Sequence, residues 1–344
     1  MQRTYDSLAD WLARVYYATF PKKAEKKLAD TNIFDIAYKP DELVAIVKLA
    51  GEKAVLKKLS EEANQGSTRD CHQQSHQIGV ASYKLYGADA FKRGDTSCLS
   101  GFYHCIMGIL ISEWGGKDFV KNTKEFCGIF DNIYDRFECL HGIGHGIMAY
   151  EDYNMPAALH ECEGLTDEWW KGSCYGGIFH ENVAVAAGLG VVPGHDTKWV
   201  NKKDLYFPCN TLKGHESREF QCYQVQTGLM LTFTNYDFKK VSGLCANAPK
   251  RNRQACFISF GRDIGGVALR EPKRIVELCG NAPEQSGYYA DCIDGALRST
   301  IIRDFRVTES NLIREGMELC ASIEDKSARE SCETTVTQRE KEAY

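Results

Sequence analysis

CLHGIGHGIMAY (Cys139–Tyr150) and CYGGIFHENVAV (Cys174–Val185) decide how this chain is read. Each opens on a cysteine, continues through apolar residues broken by glycine, and carries a histidine six positions after the cysteine, His145 and His180. Related runs begin at Cys98 (CLSGFYHCIMGIL), Cys222 (CYQVQTGLML), Cys256 (CFISFGRDIGGVAL) and Cys292 (CIDGALRSTII). Apolar runs of this length without strict alternation favour helix over strand. Glycines inside them (Gly101, Gly142, Gly144, Gly177, Gly261) each cost up to about 1 kcal/mol against alanine. A recurrent cost needs a reason, and close approach of neighbouring helices supplies one.

Working outward, the cysteines set a frame. From Cys127 onward they fall into six pairs: Cys127 with Cys139, Cys162 with Cys174, Cys209 with Cys222, Cys245 with Cys256, Cys279 with Cys292, and Cys320 with Cys332. The partners are separated by 11 to 13 residues. Such regular spacing predicts a repeated disulfide staple, each worth about 3 kcal/mol when unstrained. Of the remaining three, Cys71 with Cys98 leaves Cys105 odd. No CxxC occurs, which removes zinc-ribbon, thioredoxin and ferredoxin readings. Disulfides imply an oxidising compartment, so we expect an extracytoplasmic protein: periplasmic, cell-surface or secreted. Met1–Phe20 reads as an amphipathic helix and not as an export signal, as expected of a trimmed mature chain; an intracellular hyperthermophile protein is the other context.

Successive first cysteines lie 34 to 47 residues apart, and LCANAP (244–249) returns as LCGNAP (278–283). The expected fold is all-α: αα-hairpin repeats of about 35 residues in a curved solenoid, stapled by disulfides. A helix A would begin near each second cysteine, turn at a loop such as Glu271-Pro272, and return as a helix B ending at the next first cysteine. Over residues 67–344 this organisation resembles tetratricopeptide-like α-solenoids, in architecture alone, since the Trp–Leu-Gly–Tyr pattern of that family is absent. Residues 1–66 lack cysteine and are expected to form a helical N-terminal cap, with one amphipathic helix over Asp41–Ala63. Within 67–344 we distinguish a histidine-rich half (about 67–185), an insertion (about 186–208, with Gly188, Gly190, Pro193 and Gly194) and later repeats (209–344).

Composition excludes more than it names. The chain has 344 residues, 43% hydrophobic and 26% charged, with a net charge of −5. It is a globular composition without a basic stripe, and a nucleic-acid partner is not expected. No run of about 18 apolar residues provides a transmembrane segment. Walker, G-x-S-x-G and HExxH sequences are absent.

Histidine supplies the functional signal. Counted from the second cysteines, His104, His145 and His180 share position six, and His141 stands at position two. His72 and His76 repeat the i, i+4 spacing of His141 and His145. Residues i and i+4 share a helix face, so each pair can offer two imidazoles to one ion. Glu181 could add a carboxylate and Cys105 a thiolate. Later repeats carry Gly228, Arg262 and Arg298 at position six, so the column ends after the fourth segment. A purely structural histidine would run through the whole array. We therefore expect a centre of one or two transition-metal ions (copper, zinc or iron) on the inner face of the N-terminal repeats. Glu181 or Tyr103 would be its acid–base candidates if it reacts. His160, His195 and His215 read as exposed or loop residues. Two other readings stand beside this one. The first is a scaffold whose concave face binds a protein, peptide or glycan through Trp169, Trp170, Trp199 and Tyr288-Tyr289. The second is a sensor using Cys105 as a reactive thiol.

Overall fold

The computed structural model describes residues 21–64, 71–95, 97–98, 101–114, 119–130, 133–188, 196–268, 271–283, 287–301 and 309–342. Among them are eighteen α-helices and no strand, so the chain is all-α. The helix expected over Met1–Phe20 lies outside the described residues. None of the described helices is long and apolar enough to cross a membrane. The chain divides into two compact units, 1–106 and 107–344.

In the first unit, helices α1 (Pro21–Ala29), α2 (Ile33–Ile36), α3 (Pro40–Ala50), α4 (Glu52–Asn64) and α5 (His72–Tyr86) precede the start of α6 (Gly101–Trp114). The helix expected over Asp41–Ala63 is in fact two. Gly51, at φ +83°, breaks it, because an apolar stripe does not reveal where a left-handed glycine turns the chain. The break lets Ile46, Val47, Leu56 and Leu59 bury from two directions. Buried Glu52 accepts hydrogen bonds from Ser82 Oγ at 2.8 Å and Arg93 Nε at 2.9 Å, so its charge is paired.

In the second unit the hairpin pattern is regular. Helices α7 (Phe119–Cys127), α8 (Ile133–Tyr150), α9 (Met155–Glu163) and α10 (Glu168–Ala186) lead to the insertion. After it come α11 (Glu216–Tyr223), α12 (Thr227–Phe233), α13 (Phe238–Asn247), α14 (Arg253–Val267), α15 (Pro272–Cys279), α16 (Tyr288–Ile301), α17 (Glu309–Ala321) and α18 (Lys326–Glu342).

All six predicted staples form. Cys127 is bonded to Cys139, Cys162 to Cys174, Cys209 to Cys222, Cys245 to Cys256, Cys279 to Cys292, and Cys320 to Cys332. Cys71 pairs with Cys98, and Cα–Cα separations over the seven run from 5.3 to 6.0 Å. In five of the six staples the first cysteine lies at or within two residues of the end of a B helix, the exception being Cys209. The last staple follows the rule, joining Cys320 near the end of α17 to Cys332 inside α18. The A helices start three to six residues before the second cysteine, about one turn earlier than the sequence suggested, because caps such as Asp167 begin them upstream. Cys332 therefore sits six residues into its helix and not at its start. Pro272 opens α15, as the Glu271-Pro272 turn required.

One A segment is interrupted. CYQVQTGLML is split between α11 and α12 at Gln224–Gln226. Gln226, 2% exposed, turns its Nε2 to the carbonyls of Leu205 and Phe207, both at 2.9 Å, and so ties down the end of the insertion.

The glycines explain how A helices meet. A Cβ on Gly144 of α8 would stand 2.1 Å from the Cys174 carbonyl oxygen on α10, and one on Gly177 would stand 1.9 Å from the His141 carbonyl oxygen. The crossing of α14 and α16 repeats this position for position. Gly261 faces the Cys292 carbonyl at 1.8 Å and Gly295 the Ile258 carbonyl at 2.0 Å. Both contacts use glycine five residues after one second cysteine and three after the next. Backbone rests on backbone, and no side chain fits between.

Gly144→Ala and Gly261→Ala should each lower stability in urea unfolding by about 3 kcal/mol or more, since the new methyl meets a carbonyl that cannot retreat. Gly243→Ala on α13, where a Cβ has nothing within 4 Å, should gain up to about 1 kcal/mol. Equal effects at all three positions would contradict this picture of the crossings.

Candidate metal centre

The crossing of α8 and α10 builds the site. His141 and His145 sit one turn apart on α8, either side of Gly144. His180 and Glu181 lie one turn beyond Gly177 on α10. Because the two backbones touch, side chains flanking the glycines are brought face to face. The ring centroids of His141, His145 and His180 form a near-equilateral triangle with sides of 5.0, 5.0 and 5.4 Å. His141 Nε2 lies 3.1 Å from His180 Nδ1. His141 and His145 offer ligand atoms within 4.8 Å of one another.

The surroundings fix the charge state. Burial pushes the pKa of His141 down to about 4, with the Arg262 guanidinium lowering it further and a hydrogen bond to the Ser173 backbone opposing. His141 is therefore a neutral imidazole near pH 7, the form that binds metals. Glu181, 1% exposed, accepts from His145 Nδ1 at 2.7 Å through Oε2 and from the Tyr153 hydroxyl at 3.3 Å through Oε1. A carboxylate on Nδ1 places the proton there and leaves the Nε2 lone pair to a ligand, as in carboxylate–histidine–metal arrangements. In this geometry Glu181 is hydrogen-bonded to His145 and to the Tyr153 hydroxyl. Phe137 packs on His141 with centroids 5.3 Å apart, and Trp169, 40% exposed, stands 6.4 Å beyond it.

The first unit holds the other predicted residues. His76 and His104, each about 3% exposed or less, meet edge to face at 6.0 Å between centroids. His72 opens α5, and its side chain lies outside the described residues, as does His195. Cys105 is outside every disulfide, and burial pushes its thiol up to about 12. That is the opposite of what a reactive thiolate needs, so the sensor reading loses its physical basis. His160 and His215 are exposed, as expected. Of the aromatic candidates, Tyr288 is stacked on Phe257 at 4.6 Å, a packing role.

Sequence reasoning missed Tyr153 and Arg262. Neither stands in the histidine register; Tyr153 follows α8 by three residues, and Arg262 acts on His141 from a later repeat. Comparisons with protein-family models, with curated proteins and with solved structures returned no match.

In the folded chain, thiol labelling of Cys105 at pH 8 should be slow and should become fast on unfolding; rapid native-state labelling would contradict a half-buried thiol that stays protonated.

Proposed function

We propose that this chain binds a transition-metal ion through its histidine column, with His141 and His145 as the central pair and His180 beside them. The observation that carries this reading is the comparison of the two glycine crossings. At α14 and α16 the same backbone contact is made with Ile258 and Arg262 at the positions of His141 and His145. The fold therefore does not need histidine there, and the imidazoles are an addition to a crossing that forms without them. Three imidazoles around one tetrahedral ion, with metal–nitrogen bonds of about 2.05 Å, place their ring centroids about 5 Å apart. The observed sides of 5.0 to 5.4 Å match this spacing.

All-imidazole donors suit zinc, copper or iron. Such an ion would supply Lewis acidity or, for copper and iron, electron transfer. The chain's own part is to hold neutral His141, to fix the His145 tautomer through Glu181, and to exclude water with Phe137 and the packed helix backbones. Seven disulfides suggest that this happens in an oxidising, extracytoplasmic environment.

Elemental analysis of protein purified without chelators or an affinity tag should find stoichiometric zinc, copper or iron. The His141→Ala/His145→Ala double variant should lose it while keeping its helical circular dichroism, and His180→Ala measures the share of the third imidazole. A folded wild-type chain that carries no ion and takes up none when zinc, copper or iron is added would overturn the reading and favour a scaffold with structural histidines.

A further inference from the structure

Helix α8 ends in an unusual turn. Asp152 and Tyr153 are consecutive non-glycine residues at φ 49° and 56°, a left-handed conformation that costs on the order of 1 kcal/mol per residue. Tyr153 is 4% exposed. Its hydroxyl donates to Glu181 Oε1 at 3.3 Å, and its carbonyl accepts from the Trp199 indole Nε1 at 2.9 Å. The next residue along α10, Asn182, 1% exposed, grips the same part of the insertion. Asn182 Nδ2 donates to the Trp199 carbonyl at 3.1 Å, and its Oδ1 accepts from Thr197 Oγ1 at 2.7 Å. Thr197 Oγ1 in turn accepts from the Trp199 amide at 3.1 Å.

The insertion is thus fastened on both sides of the carboxylate that orients His145. A second turn of the same kind shows that the fold does not demand this. Asn235 and Tyr236, at φ 53° and 58°, repeat the left-handed pair after α12, yet Tyr236 is 54% exposed. The turn alone does not bury its tyrosine, so the burial of Tyr153 goes with its bonds to Glu181 and Trp199.

We propose that Tyr153, Glu181 and Asn182 couple the docking of Thr197–Trp199 to the affinity of the ion at His145. This rests on the metal reading above and adds its regulation: the insertion is the element through which the site is tuned. Seating Trp199 fixes Tyr153, which fixes Glu181, which holds the His145 proton on Nδ1. Linkage makes the effect reciprocal, so an ion at His145 tightens the hold on Trp199. Tyr153 and Trp199 are positioning residues here.

The test is a cobalt(II) titration of the full chain, followed by its ligand-field absorption, with amide hydrogen exchange measured in parallel. Tyr153→Phe should weaken binding severalfold, since Tyr153 holds Glu181 and lies one bond beyond the histidine's own partner, whose loss typically costs about 10- to 100-fold. Trp199→Phe, which keeps a ring on Phe207 but loses the indole N–H, should also weaken it, and Tyr236→Phe should not. Cobalt should slow exchange of the Trp199 amide in the wild type and fail to do so in Tyr153→Phe, a difference that a merely structural tyrosine would not produce. If wild type binds cobalt and both variants bind equally well, or if cobalt leaves the Trp199 amide unchanged, the coupling is wrong and the metal reading stands. If wild type binds no cobalt, both fall together. Should a variant unfold, the wild-type exchange experiment decides alone.

Discussion

The contact between glycine and a neighbouring backbone carbonyl is the constraint on which the second unit depends. At Gly144 and Gly177, and again at Gly261 and Gly295, two A helices approach until only hydrogen atoms separate their main chains. Helix packing at ordinary distances leaves room for side chains between the axes. Here that room is gone, and residues beside the contact are forced toward one another across it. The same geometry yields an apolar and cationic pair, Ile258 and Arg262, in one place and a triangle of imidazoles in another.

The disulfides hold that geometry in place. Cys139 precedes His141 by two residues and Cys174 precedes His180 by six, so the two staples anchor the very helices that carry the histidine triangle. Glycine-rich helices have weak intrinsic propensity, and α8 has glycine at 142, 144 and 146. Cross-linking limits the unfolded ensemble and offsets that weakness. Outer partners then refine the site: Glu181 and Tyr153 around His145, Ser173 and Arg262 around His141.

Much of this was legible in the sequence because it follows from spacing. Regular cysteine intervals gave the six staples from Cys127 to Cys332, and counting from Cys139 and Cys174 aligned His145 with His180. The glycines signalled close approach, though not which carbonyl each would meet. What stayed hidden depends on φ or on long-range contact. Gly51 splits a helix whose apolar stripe runs on across it. Gln226 breaks α11 from α12 by reaching carbonyls some twenty residues earlier. Glu181 reads as a ligand by adjacency to His180, yet its partner is His145, 36 residues away. Tyr153 is an ordinary residue in sequence, and its left-handed turn and its bonds to Glu181 and Trp199 together place it.

The central claim is that a glycine crossing brings imidazoles from two helices to one ion. Crystals grown with zinc and measured across the zinc absorption edge test it most directly. One strong anomalous peak is expected about 2.1 Å from nitrogens of His141 and His145 on α8 and of His180 on α10. Anomalous peaks only at exposed sites such as His160 or His215, with none between α8 and α10, would contradict it.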